Sequence, residues 1–89
     1  MFTTWGKETV HRFTEEGLNT ILSALSDTER FGTVLRAKGV VSGEDGRWLH
    51  FDYVPEEISV RFGAASVIGR FCVIGAKLNE AELSALFEG

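Results

Sequence analysis

Eighty-nine residues, 44% hydrophobic and 25% charged, fit one small domain around one core and exclude a second domain beside it. Nine Lys and Arg against thirteen Asp and Glu leave a formal charge of −4. That is the wrong sign for a protein whose affinity comes from neutralising phosphates, so nucleic acid is not the expected partner.

Residues 2–10 carry Thr3, Thr4 and Trp5 in a broken alternation that suits an extended edge strand. A helix follows. Thr14 caps it, Glu15 and Glu16 put carboxylates at the positive end of the macrodipole, and Leu18, Ile21, Leu22 and Leu25 repeat at i, i+3, i+4, i+7. The polar cluster Ser26, Asp27, Thr28, Glu29 ends that helix, and Phe31-Gly32 turns the chain back. Residues 34–41 and 47–54 are two extended runs joined by Ser42-Gly43-Glu44-Asp45-Gly46, whose residues tolerate positive φ, and they predict a hairpin. In its second run Leu49, Phe51 and Tyr53 fall on one face and Trp48, His50 and Asp52 on the other.

Past Pro55, Ile58, Val60 and Phe62 alternate with Ser59 and Arg61 as a half-buried strand that Gly63 ends. Residues 69–76, with Phe71, Cys72, Val73 and Ile74 in a row, read as a central strand covered on both faces, which makes Cys72 a small core residue. The last helix has the fullest local grammar. Asn79 caps, Glu82 stands at the capping-box position, Leu78 staples onto Leu83, and Leu83, Leu86 and Phe87 form an apolar face. The expected fold is α+β over residues 1–89 as a single domain: a two-layer sandwich with a four- to five-stranded, mainly antiparallel sheet and two helices on one face.

Chemistry is sparse. The phosphate-cradling pattern GxxxxGK[ST] does not occur, and the ten glycines read mostly as turn punctuation. Cys72, His11 and His50 are too few for a zinc site, no histidine stands beside a candidate nucleophile, and the pairs Glu15-Glu16 and Glu56-Glu57 read as solvated charge. No catalytic set, resident metal or cofactor is therefore expected. A lone cysteine and the lack of a secretory apolar run after Met1 point to the cytoplasm. The apolar stretches 63–69 and 71–76, parted by Arg70, are far below the roughly 20 residues of a membrane-spanning helix.

One constellation stands out. Arg36 and Lys38 share a face of one strand and Trp48, His50 and Asp52 a face of the next, with Trp5 a candidate neighbour. They read either as an ordinary solvated face or as a docking surface, since Trp and Arg often carry interface energy. An RNA-stacking sheet, or a small metal-binding module around Cys72 and His50, stays open as a more distant alternative.

The run from Gly32 through Val34, Leu35, Arg36, Ala37 and Lys38 to Gly39, the run from Leu49 to Pro55, and Gly69-Arg70 leading through Cys72, Val73, Ile74, Gly75 and Lys77 into the last helix resemble the CobW C-terminal domain. The Arg-x-Lys-Gly strand is the most specific piece. The resemblance implies an accessory, non-catalytic domain that follows a P-loop GTPase domain in metal chaperones or insertases, which handle zinc or supply cobalt for cobalamin. Its implied partners are that GTPase domain and the client protein that receives the metal, with a homo-oligomer as a further arrangement. It assigns no catalytic or metal-binding role to Arg36, Lys38 or Gly39.

Overall fold

A computed structural model describes residues 1–88. In chain order the elements are β1 (Thr3–Thr9), β2 (Arg12–Phe13), α1 (Glu15–Ala24), α2 (Thr28–Phe31), β3 (Thr33–Gly43), β4 (Trp48–Val54), β5 (Glu57–Gly63), β6 (Gly69–Ala76) and α3 (Glu80–Glu88). The sheet has six strands in the order β1-β6-β3-β4-β5, and the two-residue β2 pairs with β3 in parallel at Ser42 and Gly43. Every other pairing is antiparallel. The fold is α+β, as expected, with one more short strand and one more short helix than the sequence announces.

The helices start where their caps say. The Gly17 amide donates to Thr14 Oγ1 at 2.9 Å, and the Glu82 amide donates to Asn79 Oδ1 at 3.2 Å. The cluster at residues 26–29 does more than end α1. Asp27 Oδ1 accepts from the Arg30 amide at 3.2 Å and so caps the single turn α2. Arg30 Nε in turn donates to Glu82 Oε1 at 2.7 Å, which turns the Glu82 carboxylate toward α2 instead of back onto its own cap.

Leu18 and Leu22 of α1, Phe31 of α2, and Leu83 and Phe87 of α3 join one core with Val34, Ala37 and Val41 of β3, Leu49, Phe51 and Tyr53 of β4, and Phe71 and Val73 of β6. All of these strand residues lie on the same side of the sheet, so the helices cover one side only. Phe71 and Phe87 stack at 4.3 Å between ring centroids, 17° apart in plane, at the centre of this layer. Gly39 is what lets the aromatics close over β3. A Cβ there would sit 2.6 Å from Phe51 Cε2 and 2.7 Å from both the Arg70 carbonyl oxygen and Phe71 Cβ.

Two expectations fall on the wrong face. Trp5 is not beside Trp48: it pairs with Val73 in register and packs on Phe71 at 5.5 Å and Phe87 at 6.3 Å, inside the helix-covered layer. Strand β6 is central but covered on one side only. Gly69, Phe71, Val73 and Gly75 are buried, whereas Cys72, Ile74 and Ala76 are half-buried and Arg70 is exposed on the opposite side. Cys72 is therefore not a core residue.

Candidate functional site

The side of the sheet that no helix covers is built by strand alternation and one bulge. In β3 the register to β6 shifts between Val34 and Arg36, so Leu35 is an extra residue. The bulge keeps Val34 and Ala37 both inward and sends Arg36 and Lys38 together to the open side. Across β4, Lys38 pairs with Asp52, Val40 with His50 and Ser42 with Trp48. The five residues Arg36, Lys38, Trp48, His50 and Asp52 thus share one face, and the hairpin register brings them together.

The next strands extend the same face. His50 pairs with Arg61 and Asp52 with Ser59 in β5, while in β6 Lys38 pairs with Cys72 and Val40 with Arg70. Asp52 sits at the centre between two guanidiniums, with Arg61 Nη2 at 3.0 Å and Arg36 Nη2 at 3.6 Å. His50 is fixed locally. Its Nε2 donates to the Ala64 carbonyl oxygen at 2.8 Å, and its ring lies so close over Gly63 that a Cβ there would come 2.6 Å from His50 Cδ2. The hydrogen bond assigns the Nε2-protonated tautomer, because a carbonyl oxygen only accepts.

A shallow depression of about 330 Å³ opens here, lined by Lys38, Val40, His50, Arg61, Arg70 and Cys72 among others. A second, of about 380 Å³, lies past Asp52 between Arg36, Val54, Glu57 and Ser59. Among the described residues no three His, Cys, Asp or Glu side chains converge as a metal cage. His50 and Asp52 are parted from Cys72 by the whole of β3. No described helix is long and apolar enough to cross a membrane. What this surface can do chemically is bind: it offers cations, one central carboxylate, one indole and a few half-buried apolar groups.

Residues 2–89 match the family described as the cobalamin synthesis protein cobW C-terminal domain. The chain belongs to that family. Its fold is that of part of two solved structures. One is the Zn(II)-bound YjiA GTPase from E. coli, with a TM-score of 0.74 and 23% identity over 97% of this chain and 28% of that chain. The other is a Zn(II)-bound triple mutant of YjiA GTPase, with a TM-score of 0.78 and 20% identity over the same shares. At such identities the likeness shows the fold. No curated protein matches the chain. In this CobW C-terminal domain the Arg-x-Lys-Gly strand has a physical reading: its two cations face the open side, and its glycine makes room for Phe51 and Phe71 beneath them.

Arg61, Arg70, Cys72 and Val40 were not part of the constellation read from the sequence. The signal for Arg61 is its alternation with Val60 and Phe62, but pairing it with His50 needs the β4–β5 register. Arg70 and Cys72 reach Lys38 and Val40 only through a pairing thirty or more positions apart along the chain.

Proposed function

We propose that this chain is the non-catalytic accessory domain of a CobW-type GTP-binding metal protein of the cytoplasm. On this reading the open sheet face, with Arg36, Lys38, Trp48, His50 and Asp52, docks onto the P-loop GTPase domain of the same polypeptide or onto the protein that receives the metal. The observation that carries it is the asymmetry of the sheet: the helices cover one side, while the other holds the domain's Trp48 and four of its cations in one continuous surface. Indole and guanidinium groups gathered on an uncovered face are typical of interface anchors. Family membership supports the GTPase connection, and the Zn(II) bound in both YjiA structures favours zinc over cobalt as the metal handled. The metal itself is then held outside this domain, which supplies protein contacts.

The test uses the parent polypeptide with its GTPase domain. Trp48→Ala combined with Arg36→Ala is expected to weaken association of the two parts by about ten-fold or more and to change GTP turnover, with the melting temperature of the domain nearly kept. Unchanged association and turnover would remove the open face as the docking site.

A further inference from the structure

The composition of the open face differs from that of the rest of the molecule. Four of the nine basic residues, Arg36, Lys38, Arg61 and Arg70, lie on it, against three of the thirteen acidic ones, Glu8, Asp52 and Glu57. A chain of net charge −4 therefore carries a slight excess of cations, four against three, on the side its helices leave uncovered. Within that surface the cations divide into two kinds. Arg36 and Arg61 already have the Asp52 carboxylate between them. Lys38 and Arg70 form no ion pair among the described residues, and both line the 330 Å³ depression, whose other walls include the half-buried Val40 and Cys72.

Resting on the docking function proposed above, we infer that the occupant of this face is an acidic segment of the partner polypeptide. Its carboxylates pair with Lys38 and Arg70, and a small apolar side chain between them covers Val40 and Cys72. Two unpaired cations flanking an apolar floor are complementary to a short segment of alternating carboxylate and apolar residues. The run of consecutive apolar residues in β6 fits the same occupant, because Cys72 and Ile74 are composed for a surface that is covered in the assembly.

A second copy of this chain is a poorer fit, since a two-fold contact centred on the depression would bring the Lys38 and Arg70 cluster of each copy close to that of the other. A nucleic-acid strand is also a poor fit. The two rings on this face, Trp48 and His50, are both half-buried, where single-strand binders stack bases on several accessible aromatics.

The experiment follows backbone amide shifts of the 89-residue chain during titration with an oligoglutamate decapeptide and, separately, with single-stranded oligouridylate. The expected result is saturable, salt-sensitive shifting of Lys38, Val40, Arg70 and Cys72 by oligoglutamate. Lys38→Glu with Arg70→Glu should weaken it by about ten-fold or more. Both side chains are at the surface; should the reversal disturb the amide spectrum, Lys38→Gln with Arg70→Gln replaces it. Tighter binding of oligouridylate on this face overturns the inference, as does oligoglutamate that binds elsewhere or not at all. The same reversal in the parent polypeptide separates this inference from the docking function. Docking lost in the Trp48 and Arg36 variant but untouched by Lys38 and Arg70 reversal sinks the acidic occupant alone. Docking untouched by either pair sinks both.

Discussion

On the helix-covered side of the sheet, Phe87 lies 4.3 Å from Phe71 and 6.2 Å from Phe51, centroid to centroid. One residue further along the same strands, Asp52 and Cys72 stand on the open side, the first in an ion network and the second half-buried in a shallow depression. The backbone of β4 or β6 is common to both, so the contrast is purely one of side-chain parity. Alternate residues of a strand are coupled to different things: those on the covered side to folding, those on the open side to whatever meets the domain. A small domain has few kcal/mol to spare, and this separation lets the open side hold charge and an indole without cost to the core.

The largest expected effect is on the covered side. Phe87 is 2% exposed and stacks on Phe71 while also meeting Phe51 and Trp5. Phe87→Ala is expected to cost about 3–5 kcal/mol, because deleting a buried ring loses its transfer energy and leaves a cavity that the surroundings fill only in part. That is a large part of the stability of a domain this size. Urea denaturation followed by fluorescence measures it, and a loss below about 1 kcal/mol would mean that the aromatic stack does not anchor α3.

An intermediate effect lies at the rim of the same layer. Glu88 Oε1 is 2.7 Å from Lys7 Nζ, and Thr9 Oγ1 donates to Glu88 Oε2 at 2.7 Å, tying the end of α3 to β1. The Lys7 ammonium, and after it the Thr9 hydroxyl, hold the Glu88 carboxyl below its ordinary value of 4.5. A depressed carboxyl stabilises the fold above its unfolded pKa, and the contribution disappears as pH falls through the folded value. Glu88→Gln should therefore melt lower than the native chain at neutral pH, by an amount worth no more than about 1 kcal/mol, since the ion pair is partly solvated. The gap should close as pH drops below 4.5. Equal melting at neutral pH would detach the rim from the covered layer.

What could be read from the sequence follows the same division between local and distant causes. Thr14, Asn79 and the 42–46 loop act within a few residues, and each does what its type dictates. Parity inside the hairpin likewise put Trp48, His50 and Asp52 on one face. Trp5 was misplaced because Thr3, Thr4, Gly6 and Lys7 around it carry no alternation, and its face is decided by Val73, far along the chain. Elements as short as α2 and β2 have no period to detect. Glu82 shows how such a miss spreads: the cap was legible, but Arg30 of the unseen α2 takes the carboxylate that should have closed the box. In β6 four apolar residues in succession imply two covered sides, and this chain by itself covers one.

The smallest expected stability effect separates the two sides most sharply. Asp52 is the only carboxylate in the middle of the open face, with its side chain 39% exposed and held by Arg61 at 3.0 Å and Arg36 at 3.6 Å. Because solvent screens both pairs, Asp52→Asn should change stability by no more than about 0.5 kcal/mol, and the amide still accepts a hydrogen bond from Arg61. Removing that charge frees two guanidiniums beside Lys38 and Arg70, so oligoglutamate should bind the variant about two- to five-fold more tightly at low salt and with little difference at high salt. Denaturation and titration on the same sample read the two effects together. A cost above about 2 kcal/mol would show that the ion network holds the strands together, and the open side would then belong to the fold as much as the covered one does.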